Sequence, residues 1–392
     1  MTLSGKRRGH ARRLTPLFGL ILGTMPAFAD PSAPRMQPAD FAPAILRTDS
    51  IPGPYEVLAV PELGAVFSAS VPDFTDGAPG DIYMLAADSL QPIRRIQLQR
   101  RPFALAIDHK RGRLYAGNTK DGSLAVIDAA SGVFLRTIQL GKPGANGKME
   151  HTRMIEVDEA TGHVFVTGPT DEGIVWIVDP EAGEILHRLD NVAIWAAGLA
   201  YDGSAGAGGR LYVGGGGAEE IVVLDAATGA RITSFSTGDT PPGQGDTSAH
   251  FMVNLSLDAA GGRLFAVDSH KGRLYVFDVK TGAILAQVPI GPGALDVIYN
   301  PTRNEAYVTY YGINREITDG SGGLVVVDAA TYTTRHDLAI ETFPSNLSLD
   351  ATGQVLFASV TQPSAKAHPN YRPGAVGSVI RLDLATLSGL GN

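Results

Sequence analysis

A chain of 392 residues with no cysteine has no disulfides, thiolate metal sites or CxxCH haem attachment, and it is long enough to bury a core without such staples. Its 32 Lys and Arg stand against 40 Asp and Glu, a net charge of −8. Beyond the first 29 residues no run of basic residues interrupts that acidity, which argues against binding a nucleic-acid backbone.

Residues 1–29 read MTLSGKRRGHARRLTPLFGLILGTMPAFA, with five basic residues and no acid, an apolar stretch from Leu14 to Met25 and Ala27-Phe28-Ala29 at the end. That is the pattern of a signal peptide cut after Ala29, with an apolar part too short to anchor in a bilayer. Arg12-Arg13 leaves a twin-arginine route open, although the Leu-Thr-Pro that follows matches it poorly. Asp30 and the lack of cysteine exclude a lipid-anchored protein. Cleavage leaves 27 basic and 40 acidic residues, a net −13, and no further membrane span. The mature protein is expected to be periplasmic or secreted and monomeric, with residues 30–41 as a linker.

Beyond the linker the chain repeats itself. GRLYAGNTKDGSLAVIDAASGVFLRTIQLG at 112–141 and GRLFAVDSHKGRLYVFDVKTGAILAQVPIG at 262–291 share length and landmarks. Asp128, Asp179, Asp225, Asp278, Asp328 and Asp383 each close an alternating apolar run, Asp88 closes a looser one, and successive copies lie 40 to 55 residues apart. Within each copy two runs flank an Asp-x-x-x-Gly turn, and Asp-x-x-Ser/Thr-Gly then leads to a further run. Seven such copies predict an all-β, seven-bladed β-propeller of four-stranded antiparallel blades over residues 42–388. Residues 42–50 match an outermost strand and precede the first full copy, while the last copy ends one strand short. The N-terminal strand is therefore expected to complete the last blade and remove two open sheet edges, so that trimming through Asp40 does no harm and deletion through Ser50 opens the ring.

The second strand of each copy, clearest in AYVTY at 306–310 and in LYVGG, resembles the YVTN repeat of YncE-like seven-bladed β-propellers. The resemblance covers about residues 42–387. It implies an exported protein, usually without an assigned enzymatic reaction, and it supports the fold more than any chemistry.

Alternating strand direction puts the short, uniform turns on one face and the variable loops on the other. Long loops at 71–81, 309–323 and 360–378 belong to three ring neighbours, and 141–153 and 236–250 add two more. Variable loops on a rigid scaffold are where sites are built. On the innermost strands Ala59, Ala106, Glu156, Ala200, Ser256, Ile298 and Ser348 should face the axis, with Leu58, Leu105, Ile155, Leu199, Leu255, Val297 and Leu347 filling the blade interfaces. Glu156 breaks a largely small pattern with a carboxylate. Asn254, Asp296 and Asn346, one step nearer the loops, join Arg101, His151, Arg153, Trp195 and His250 in an expected mixed-charge channel mouth for a small polar ligand. The alternative to a site is a structural Glu156–Arg153 ion pair.

No cofactor is expected. GAGGRLYVGGGG at 206–217 lacks GxGxxG and falls on a turn and a strand; GKPGANGKM is misspaced for a P-loop; two tryptophans are too few for the docking motif of quinoprotein dehydrogenases; GxSxG and HExxH are absent. His151, His250, His270 and His368 are scattered loop histidines, and no metal site with Glu156 or Asp296 is assigned to them. Two function classes remain. One is a binding or interaction scaffold for a small polar ligand or a periplasmic protein. The other is a metal-assisted hydrolase or lyase of a small cyclic or lactone-like substrate, with Glu156 or His151 as base and Arg153 on an oxyanion.

Overall fold

Alternation of apolar residues with period two, broken by Asp- and Gly-containing turns, builds seven sheets in the computed structural model, which describes residues 33–390 apart from 74, 76, 145–146, 242–247, 319 and 369. The expected signal peptide lies outside the described residues. Each sheet is one blade, with strands a to d running from the axis outward; blade two, for example, is Pro102–Asp108, Arg113–Asn118, Ser123–Asp128 and Phe134–Gln139. In blades two to six the c–d turns are Asx turns: in blade two Asp128 accepts from Ser131 N at 2.9 Å, and in blade five Asp278 accepts from Thr281 N at 2.7 Å. In blades one to six a bulge follows the turn in the c–d ladder, which increases the twist of the outer strand.

Both faces of each blade are buried by its neighbours. Seven apolar clusters are found among the described residues, one at each junction of adjacent blades, from Val60–Ile127 between blades one and two to Ile51–Val379 across the closing seam. The seam is closed as expected: Ile45–Thr48 pairs antiparallel with Ser378–Asp383, with Ile45 opposite Leu382 and Thr48 opposite Val379. Asp49 reinforces it by accepting from Ser378 Oγ at 2.7 Å and pairing with Arg47 at 2.9 Å and Arg372 at 2.8 Å.

Two features differ from the sequence reading. The segment read as a linker contains a short strand, Arg35–Met36, laid parallel to Thr333–Ala339 on the outer edge of blade six. Arg35 donates to Tyr310 OH at 2.6 Å and to the carbonyls of Ser321 and Gly322, and Phe41 is buried. Two residues are too few to carry a period, so alternation could not reveal this strand. The chain also ends in a short helix, Leu384–Gly389, capped by Asp383 and packed on the turn at Ala42–Ala44. No helix among the described residues is long and apolar enough to cross a membrane.

Candidate functional site

An axial cavity of about 530 Å³ is walled by the innermost strands. Strand pairing defines its tiers, because residues that sit opposite the aromatic of strand b must be equivalent: Ala106 faces Tyr115, Ser348 faces Phe357, Glu156 faces Phe165, and in blade one Leu58 faces Phe67. Leu58, and not Ala59, is therefore the axial residue of blade one. Counting from the turn misleads there because Val60 replaces the Asp, or Asn300 in blade six, that opens the other a–b turns. The shift places Glu56 in the same tier as Asn254, Asp296 and Asn346, a residue that the sequence reading missed and that this equivalence could have found.

The upper tier, on the loop side, is a hydrogen-bonded network. Asp296 accepts from Asn254 Nδ2 at 2.7 Å, Asn346 Nδ2 at 3.0 Å and Leu347 N at 2.7 Å. Asn346 Oδ1 accepts from Val57 N at 2.9 Å, and Glu56 accepts from Leu105 N at 2.7 Å. One tier below, Ser348 Oγ accepts from Ala59 N and Ser256 Oγ from Tyr299 N, each at 2.9 Å. Each of these bonds to the backbone runs from a side chain of one blade to the innermost strand of the next, satisfying an edge N–H that no further strand covers.

Arg153 reaches this tier from the loop before blade three. Its guanidinium pairs with Glu56 at 3.4 Å and lies 5.7 Å and 5.2 Å from the ring centroids of Tyr55 and Phe103, themselves stacked at 3.3 Å. Arg153 is thus engaged with Glu56, and the Glu156–Arg153 ion pair is not formed. Burial pushes the Glu56 carboxyl upward against the pull of Arg153, and it raises Asp296 to about 6 despite the Leu347 N–H and Asn254.

Glu156 stands apart. It lines the cavity one tier below, half-buried, and has no hydrogen bond or ion pair to any described residue; burial alone raises it to about 7. The serines at its equivalent positions bond the next blade, and Glu156 does not. The cavity continues from there toward His109 and Glu159 on the turn face, so the open space lies below the polar tier and not among the loops.

Of the expected mouth, then, Arg153, Asn254, Asp296 and Asn346 are brought together, with Glu156 below them. The other four are placed elsewhere. Arg101 is buried, donating to Thr75 O at 2.9 Å and facing Asp121 at 3.5 Å. His151 is half-buried nearby, its pKa lowered by burial and by Lys120, Arg101 and Lys148. Trp195 is exposed, with φ of 55°. His250 is fully buried between Asp268 and Asp239 in the loop before blade five; burial opposes its charge, but the two carboxylates outweigh that and raise its pKa. His151 and His250 do not line the cavity.

Comparison with known proteins agrees with this architecture. The chain is 31% identical over 337 residues to "Uncharacterized protein YncE" of Salmonella typhi, covering 85% of this chain and 88% of that one. It is 30% identical over 334 residues to the protein of the same name in Escherichia coli K12, with the same coverage. A family model described as "Outer membrane protein assembly factor BamB" matches residues 169–361. Among solved structures, the RRP9 WD40 repeats superpose with a TM-score of 0.65 at 13% identity, over 90% of this chain and 99% of that one, a likeness of fold alone.

Proposed function

The chain belongs to the YncE family of β-propellers, and from that premise we propose that its axial cavity binds a small polar ligand, entering from the turn face and anchored by a hydrogen-bond donor or cationic group on Glu156. The observation that carries this reading is the contrast within the channel wall. The carboxylates of the upper tier are satisfied by protein donors, whereas Glu156, equally singular in its tier, has none among the described residues. Asn254 Oδ1, in the tier above and outside the cavity lining, is a second buried acceptor with no partner among the described residues. A cavity with a few convergent polar groups and one perturbed carboxylate is the usual form of a small-molecule site. The protein acts as a periplasmic or secreted scaffold, exported by residues 1–29; the likeness to a model named for an outer-membrane assembly factor supports that setting.

The hydrolytic alternative draws less support, because its residues are dispersed: Arg153 is held on Glu56, and His151 lies outside the cavity. A second scaffold reading, contact with a periplasmic protein, is favoured by the long loops of blades six, seven and one being ring neighbours. A thermal-shift screen of small amines and polar metabolites, run in parallel on the parent and on Glu156→Gln, tests the channel. Stabilising compounds should lose about tenfold or more in affinity in the variant, roughly 1.4 kcal/mol. Hits whose affinity is unchanged in Glu156→Gln but falls in Lys366→Ala would move the function to the rim of blade seven.

A further inference from the structure

The loop that joins blade four to blade five gathers groups the axial cavity does not use. Asp268 ends strand b of blade five, and its Oδ1 accepts from the backbone N–H of Phe251 at 3.1 Å, His270 at 3.0 Å and Lys271 at 3.1 Å. Its Oδ2 is left for His250 Nδ1 at 2.6 Å. A carboxylate so fixed accepts the Nδ1–H hydrogen bond and leaves Nε2 as the free ring nitrogen, the arrangement by which proteins orient a metal-binding imidazole. Nε2 meets Asp239 Oδ1 at 2.5 Å, and Glu220 completes the group: one ligand atom from each of Glu220, Asp239 and His250 lies within 4.8 Å of the other two.

Charge supplies an independent observation. Glu220 and Asp268 are both fully buried, and Glu220 receives hydrogen bonds from the neutral Thr237, at 3.2 Å from N and 3.0 Å from Oγ1. Asp239 adds a third carboxylate from the exposed side, so that among the described residues three carboxylates face the one imidazole of His250. The hydroxyl of Thr240, next to Asp239 in the chain, is buried and has no partner among the described residues.

We propose that Glu220, Asp239 and His250 Nε2 bind a divalent transition ion, zinc being the first to test, with a position left for water. Ligands about 2.1 Å from a tetrahedral ion stand roughly 3.4 Å apart, so Asp239 draws back from Nε2 as the ion enters; it is the one exposed member of the three. The ion pins the loop against blade five, independently of any ligand in the axial cavity. Residues 242–247 of that loop lie outside the described residues, and the site is argued without them.

The test is zinc binding by the untagged full chain after dialysis against EDTA, followed by titration calorimetry and elemental analysis. One zinc per chain is expected, with zinc raising the melting temperature. Asp239→Asn, at an exposed side chain, should fold normally and bind at least about tenfold more weakly; Glu220→Gln, which keeps the shape beside Thr237, should do the same. Absence of bound zinc in the parent would overturn the proposal. So would binding that both variants leave unchanged, or an Asp239→Asn loss of melting temperature that is the same with and without zinc, since a simple imidazolium clamp predicts the latter.

Discussion

Glu156 and Asp296 lie one tier apart on the same channel wall, and their surroundings give them opposite tasks. Asp296 is a structural acceptor for Asn254, Asn346 and Leu347. Asp296→Ala leaves these buried donors unmatched and should cost about 2–4 kcal/mol in urea unfolding. Glu156 has no such partner, and its folded-state pKa of about 7 exceeds the ordinary 4.5. The folded protein therefore holds this proton more tightly than the unfolded chain, so the contribution is fully present below pH 4.5 and is lost as pH rises through about 7. Glu156→Gln removes the titration and should be more stable than the parent at pH 8, by about 1–3 kcal/mol, with little difference at pH 4.5. An equal difference at both pH values would contradict burial as the cause. Glu156 was legible in the sequence because it broke a pattern of small residues. Glu56 was not, because Val60 hides the turn from which that pattern is counted, and the partners of His250 were not, because only the folded loop brings Glu220 and Asp268 to it.

Among the elements, the N-terminal strands separate what periodicity can reveal from what it cannot. Residues 42–50 repeat the outer-strand pattern and were placed on blade seven from sequence, where Ile45–Thr48 pairs with Ser378–Asp383. Arg35–Met36 has no pattern to read, since its hold on blade six comes from one guanidinium reaching Tyr310 and two carbonyls. Trimming through Asp40 is consequently no longer expected to be harmless. It should lower the melting temperature measurably by removing these bonds, and deletion through Ser50 should lower it further by exposing strand c of blade seven as an edge. Equal melting temperatures for the two truncations would contradict the closure. The repeated c–d turns carry their own requirement: Gly282 has φ of 73°, and a Cβ there would lie 2.6 Å from the Phe235 ring. Gly282→Ala should destabilise by about 1–3 kcal/mol in urea unfolding.

For the whole molecule, the seven apolar junctions make each blade dependent on two others, and the ring is stable only as a ring. The polar bonds between innermost strands are not spread evenly around it. They occur from blade five to six, six to seven, seven to one and one to two. Blades two, three and four present Ala104 and Ala106, Met154 and Glu156, and Gly198 and Ala200 at the same positions, and among the described residues none of these bonds the next blade. The bonded arc brackets the place where the two ends of the chain meet, which is otherwise the natural breaking point of a closed disc. The clasp of this bracelet is its strongest part, and its hinge lies on the far side. Amide exchange should accordingly be faster at the inner strands Ile155–Asp158 and Ile194–Asp202 than at Pro344–Leu349, and any breathing that admits a ligand to the axis should begin there, where the links are smooth.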